Sequence, residues 1–555
     1  MKNVNYKIFT RLLIAAAIAV LGAACVERGI QGPPPNAELI EVMASTNLEA
    51  WLADAAAVFN HDKLQSAAGK TYYVQITYMD AGNAVKFMGA GKYAPDLWIA
   101  DSYVWAEVMA DQGKTDFLNN CQSVAESPLV FAVWKSLAES LGWPGRELGW
   151  LDIGSLAADP SAWGYYSGGQ FGPTLRLGHA HPGLSAAGTN TLLAVVHAAQ
   201  SKQAAVSVAD IEEPIVQASV SAFESSVSTF SKSTRELGEL MQERGVFYLG
   251  AAVVYENIVF EYSGGEAEIV PVYPFEGTFV ADFPACVNQS AGADAANGAA
   301  LFRDHLLGET GQKKALAHGL RPVSEALSEG ADSDMSAILD LAKPVVIFEN
   351  PSVETVYAAQ DLWQASRKAV NMVMIIDNSG SMNGEKIESV KRAAVDFVDT
   401  MGIGDYATII TFDGNNQVTA LIENAQIGAS RQQIIDTIQA LYSGGGTPLY
   451  DSIGYAGEII SRITSGRTKN VLVVLTDGMD TASARYNFNQ DLIRLATGND
   501  TTIYAIAYGD DADEELLANL AREANGNFYL GDLASIAAIY EEMSVIMGGS
   551  AGIGR

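Results

Sequence analysis

Residues 372–382 read MVMIIDNSGSM. The apolar run 372–376 has the character of a parallel strand buried on both faces. It stops at Asp377, and Asn378, Ser379, Gly380 and Ser381 follow. This is D-x-S-x-S on the loop after a strand. Beyond it, Ile387, Val390, Ala394, Phe397 and Met401 share one face at helical spacing and predict an amphipathic helix. YATIITF (406–412) reads as the next strand.

The alternation continues downstream. SGGGTPLYDSI (443–453) carries Thr447 before Pro448, which reads as a helix start with Thr near the N-cap and Pro at the first helical position. VLVVL (471–475) is a buried strand ending in Thr476, Asp477 and Gly478. TIYAIAYG (502–509) is a further strand, and helical stretches near 513–524 and 533–547 close the unit. In an open α/β sheet, ligands bind where parallel strands end, at the switch in strand order. Asp377 and Asp477 both stand at such ends. With Ser379, Ser381 and Thr447 they supply two carboxylates and three hydroxyls, a set of hard oxygen donors suited to Mg2+. No His follows His318, so a zinc or copper site here is not expected. The glycines 444–446 lack the Lys and the spacing of a phosphate-binding loop. Asp480 reads as a solvated loop residue.

D-x-S-x-S, then Thr, then Asp in T-D-G, in that order, resembles the von Willebrand factor A domain and its metal-ion-dependent adhesion site. The resemblance implies a doubly wound, Rossmann-like α/β domain over 369–547. It implies that Ser379, Ser381 and Thr447 ligate Mg2+ (or Mn2+ or Ca2+) through hydroxyls, and that Asp377 and Asp477 act directly or through water. An open metal position would then take a carboxylate from a protein partner. Asn378 departs from the Thr or Val often found at its place, but that position is not a family ligand.

Upstream, 39–345 mixes strands and helices, and 346–368 reads as a connecting strand and helix. LIEVMAS (39–45), YYVQITYMD (72–80), PDLWIAD (95–101) and PLVFAVWK (128–135) read as strands, 47–60 as a helix, 246–262 as a return to strands, and 302–320 as a helix. The alternation predicts parallel sheets, and the length predicts two lobes. In order, MASTN, PDLWIADS, SPLVFAVWK, GLSAAGTNTLLA, VYPFEGTFVADFPA and GQKKALAHGL are similar to segments of periplasmic solute-binding proteins, over about 38–330. That resemblance implies two α/β lobes around a ligand cleft, lobe two being roughly 132–265. Candidate cleft residues are Ser45, Thr46, Asn47, Asp101, Ser102, Ser185, Thr189, Asn190, Tyr255 and Glu256. Each also has a plain reading: helix cap, core residue or strand end. Trp163 and Tyr165 are read the same two ways, and His179 with His181 lacks a second pair of metal ligands.

The N-terminus reads as an address. Lys2, Lys7 and Arg11 precede the apolar run 12–24, which is too short for the about 20 residues that span a bilayer. Gly22, Ala23 and Ala24 before Cys25 resemble a bacterial lipobox, which implies cleavage after residue 24 and lipidation of Cys25. Residues 25–38, with prolines at 33–35, read as a tether, and 548–555 as a tail. Val26 after the cysteine resembles outer-membrane sorting in Gram-negative cells. In an extracytoplasmic compartment disulfides form. Cys121 and Cys286 then pair, or remain two separate buried thiols; the solute-binding resemblance puts both in lobe one.

The whole chain has 555 residues, 48% hydrophobic and 18% charged, which is globular composition. A formal charge of −31 argues against attraction to nucleic acid or to anionic membranes. No H-E-x-x-H or catalytic Cys–His pattern occurs, so a non-enzymatic protein is expected. Two functions fit. One is an anchored binding protein gripping an acidic partner through the metal. The other is a solute receptor of an ABC importer or sensor, with the C-terminal domain as a docking accessory.

Overall fold

The computed structural model describes residues 32–264, 268–323, 333–412, 415–465 and 468–549. The leader, Cys25, the first part of the tether and the end of the tail lie outside the described residues. The chain divides into two compact units. One holds the chain up to Ser127 together with Ala281–Ala337, the other Pro128–Val280 together with everything from Ile338.

The first unit is built on a sheet with strand order Thr71–Tyr78, Ala37–Ala44, Leu97–Ile99, Pro284–Val287, Cys121–Ser123. The first three strands are parallel. Pro284–Val287 runs antiparallel to both its neighbours, so the sheet is mixed rather than parallel as expected. The cause is the connectivity: this strand arrives after a long excursion through the other unit. Its register puts Cys286 opposite Cys121, and the two form a disulfide with an S–S distance of 2.08 Å.

In the second unit, Ser127–Trp134 is buried along its whole length. Ala251–Tyr255 pairs with it antiparallel and with Leu177–Ala180 in parallel, and Val227–Ser231 lies beyond. This sheet is mixed too. Glu256–Tyr262, read as strand from its β-branched and aromatic residues, is a helix packed against the helix Thr234–Arg244. The stretch 302–320 holds parts of two helices, Ala293–Leu307 and Glu309–Ala317, separated at Gly308. In the connector, the expected strand is only an isolated bridge between Ile347 and Thr278, while the expected helix is Val353–Ser366. That helix is anchored by a buried polar seam. Glu224 accepts from Trp363 Nε1 at 3.0 Å and pairs with His179 Nε2 at 3.0 Å.

The C-terminal sheet of the same unit has the order Val418–Gln426, Tyr406–Phe412, Ala369–Ile376, Thr468–Thr476, Thr502–Tyr508, Phe528–Gly531. All are parallel except the edge strand Val418–Gln426. Alternate residues of the central strand feed two cores. Met372, Met374 and Ile376 pack with Ile387, Val390 and Phe397, while Val373 and Ile375 pack with Ile453 and Ile460. Helices therefore cover both faces, which is the doubly wound arrangement. Helix Leu449–Ile463 starts one residue later than expected, with Pro448 at the N-cap. The helix Ile427–Gln439 and the edge strand before it were not anticipated.

Candidate metal centre

Central strand Ala369–Ile376 and its neighbour Thr468–Thr476 are in register with Ile376 opposite Leu475. Asp377 and Asp477 therefore leave the same edge of the sheet side by side. Asp377 is 1% exposed and Asp477 1%. Asp377 Oδ1 accepts the Ser379 N–H at 2.8 Å, and its Oδ2 accepts the Thr476 hydroxyl at 2.6 Å. The Ser379 and Ser381 hydroxyls are 2.9 Å apart, and Ser381 donates to Asp477 Oδ1 at 2.7 Å. Four of the five expected ligands thus form one continuous hydrogen-bonded chain.

Thr447 comes from a different loop. Its N–H donates to Thr481 Oγ1 at 2.9 Å, and its carbonyl accepts the Thr481 N–H at 3.0 Å. A Cβ on Gly478 would stand 3.8 Å from Thr447 Oγ1, so this hydroxyl lies beside the residue after Asp477. The glycine loop is docked to the serine loop: Gly380 N–H donates to Gly445 O at 3.1 Å, and Gly444 N–H to Asn378 O at 2.8 Å. Gly445 has φ +79°, a conformation that glycine adopts without steric cost. Asn378 is a brace rather than a ligand. Its Oδ1 accepts from Thr411 at 2.6 Å and its Nδ2 donates to Tyr442 O at 3.0 Å.

Burial raises the Asp377 carboxyl above the ordinary carboxylate range; the Thr476 and Ser379 hydrogen bonds oppose this, and Asp477 adds like-charge repulsion. Two buried carboxylates side by side favour a bound cation. Among the described residues no group of three or more His, Cys, Asp or Glu converges. The centre is instead two acids and three hydroxyls, a hard oxygen set that fits a divalent ion such as Mg2+. Asp480 is not a further ligand: it accepts the Tyr450 N–H at 3.2 Å in the first turn of helix Leu449–Ile463.

Two site residues were not singled out from sequence. From sequence, Thr476 reads only as a strand end. Lys386 donates to Asp477 Oδ2 at 2.6 Å. It sits in the first turn of helix Glu385–Thr400, where a cation is disfavoured by the helix dipole. That misplaced charge is the signal that could have revealed it.

The solute-site candidates fall into separate groups. In the first unit, Ser45 Oγ donates to Asp101 Oδ1 at 3.0 Å, and Asn47 Nδ2 donates to the same oxygen at 3.1 Å. Thr46 donates to Asp80, a residue outside the candidate set. Ser102 is buried, with its carbonyl accepting from Trp105. Burial raises the Asp101 carboxyl, and Asp80 raises it further. In the second unit, Ser185, Thr189 and Asn190 lie at the start of Ala186–Gln200, with the Thr189 hydroxyl on Pro182 O at 2.8 Å. Tyr255 and Glu256 are fully buried, and Glu256 accepts from the Tyr273 hydroxyl at 2.7 Å. Trp163 is a core residue, while Tyr165 is exposed. His179 and His181 serve packing: His181 pairs with Gly549 O at 2.7 Å, and burial pulls its pKa down to about 3.

The model of the bacterial extracellular solute-binding protein matches residues 40–321, and that of the von Willebrand factor type A domain matches 371–542. An uncharacterized protein of Synechocystis sp. is 28% identical over 166 residues, covering 29% of this chain and 37% of its own length. The chain thus spans well under two thirds of the first curated relatives it matches. Among solved structures, the sulfate-binding protein SubI of Mycobacterium tuberculosis is 18% identical, covering 59% of this chain and 97% of that one, with a TM-score of 0.40. Proximal thread matrix protein 1 from the mussel byssus, solved with a zinc-occupied MIDAS motif, is 15% identical, covering 31% and 46%, with a TM-score of 0.27.

Proposed function

The chain belongs to the bacterial extracellular solute-binding protein family, and from that premise we propose that it is a non-enzymatic binding protein anchored outside the cytoplasm. Its von Willebrand factor type A domain grips an acidic protein partner through a divalent ion, Mg2+ in the first instance. The observation that carries the reading is the hydrogen-bonded chain Thr476–Asp377–Ser379–Ser381–Asp477 at one sheet edge. Ser379, Ser381 and Thr447 would hold the ion by their hydroxyls, with Asp377 and Asp477 supplying the negative charge. When bound, such an ion supplies an electrophilic position for a carboxylate oxygen. The Asn378 and Gly445 contacts hold the two loops in place, so the donor set is preorganised rather than assembled on binding.

The leader-like start and Cys25 support a lipid anchor, and the family's extracellular character supports the location. No helix among the described residues is long and apolar enough to cross a membrane. The test is binding of the full chain to an immobilised acidic peptide in Mg2+ and in EDTA. Binding that needs Mg2+ and vanishes in Asp377→Ala supports the reading. Equal binding in EDTA sinks it.

A second reading, a solute receptor for an importer or sensor, is favoured by the Ser45–Asn47–Asp101 cluster at the strand ends of the first unit. A small molecule that raises the unfolding midpoint without metal would move the main function there.

A further inference from the structure

Lys386 reaches Asp477 from the helix that follows the D-x-S-x-S loop. Its ammonium is 2.6 Å from Asp477 Oδ2, while Ser381 occupies Oδ1 of the same carboxylate. The Asp477 side chain is 0% exposed, and that of Lys386 is 36% exposed. The ammonium also lies beside Gly509, where an added Cβ would stand 3.6 Å from Nζ. The contact is therefore built by three separate segments and is not a loose surface pair. It forms although the helix N-terminus repels a cation.

We propose that Lys386 is a tethered cation that shares Asp477 with the metal and so sets both the affinity and the residual charge of the centre. This rests on the metal-centre reading above. Two aspartates bring two negative charges, and Lys386 cancels one of them. A divalent ion added to this set leaves a net positive centre, which a single carboxylate from a partner completes. Without Lys386, the two aspartates alone would neutralise the ion, and the demand for an outside carboxylate would fall. Lys386 thus gives up intrinsic metal affinity in exchange for a centre that seeks an acidic ligand. It also keeps the buried Asp477 charge compensated when no ion is bound, since an unpaired buried carboxylate is costly.

The test uses the full chain and the metal alone. Calorimetric titration with Mg2+ is compared for wild type, Lys386→Met and Lys386→Arg, alongside unfolding midpoints in EDTA. Lys386→Met should bind Mg2+ about tenfold or more tightly, because a nearby positive charge has been removed. Its midpoint in EDTA should be lower than that of wild type. Lys386→Arg should stay close to wild type in both. If Lys386→Met does not fold, Lys386→Gln keeps a donor to Asp477 without the charge and should show the same tightening. A wild type that binds Mg2+ with the neutral variants no tighter overturns this inference alone. A wild type that takes up no Mg2+ overturns the metal-centre reading and this inference with it.

Discussion

The Thr476 hydroxyl donates to Asp377 Oδ2 at 2.6 Å, across the seam between two parallel strands. The last residue of one strand thereby fixes the first carboxylate after the other. Thr476 is 0% exposed, so no water replaces its hydroxyl. Thr476→Val keeps the shape and deletes the donor. It should cost about 1–3 kcal/mol in EDTA, the penalty for leaving a buried polar group unsatisfied. Urea unfolding measures it, and Mg2+ binding should weaken in the same variant.

Away from the centre, Arg367 and Asp405 form an ion pair at 2.7 Å with side chains 4% and 3% exposed. Asp405 also accepts the Val370 and Gly402 N–H groups, both at 2.8 Å. Asp405→Ala strands a buried guanidinium. The expected loss is about 3–5 kcal/mol, read by denaturant unfolding. Mg2+ affinity of the folded fraction should be unchanged, because neither residue touches the metal loops.

Lys469 gives a pH signature. Its ammonium donates to Ser228 O at 2.7 Å, and burial pulls its pKa from 10.5 down to about 7, with Arg176 adding repulsion. Between those values the unfolded chain holds a proton that the folded chain has released. Stability from this group is therefore full above pH 10.5 and is lost as pH falls to about 7. Lys469→Met should flatten the stability profile across that window. An unchanged slope in the variant would assign the effect to other groups.

The disulfide Cys121–Cys286 closes a sequence separation of 165 residues. Reduction should destabilise the first unit by about 2–5 kcal/mol, since a cross-link of this kind restricts the unfolded chain. Unfolding with and without dithiothreitol checks it, and Mg2+ binding by the C-terminal domain should survive reduction.

Much of the C-terminal domain was legible because its central strands carry unbroken apolar runs that end in polar loops. Residues 372–376 and 471–475 show this directly, and D-x-S-x-S with T-D-G marks the strand ends. What stayed hidden depends on tertiary context. ENIVFEY (256–262) has strand-like residues, yet packing against Thr234–Arg244 makes it helical. Pro284–Val287 looks like any buried strand, and only its return from the other unit makes it antiparallel. Edge strand Val418–Gln426 is largely solvent-facing, so it carries little apolar signal. Thr476 and Lys386 act through partners about a hundred positions away, at separations of 99 and 91, which local pattern does not report. Asp80 joined the Ser45–Asp101 cluster for the same reason.

The most direct test of the metal centre is thermal unfolding of the chain from Val26 onward in EDTA, Mg2+ and Ca2+, for wild type and Asp377→Ala. At a hundred times Kd, a ligand that binds only the folded state adds about 2.7 kcal/mol. A midpoint that rises with Mg2+ in wild type and does not move in Asp377→Ala is the expected result. A wild type indifferent to divalent ions, or a variant that gains as much as wild type, would contradict a metal held by Asp377, Ser379, Ser381, Thr447 and Asp477.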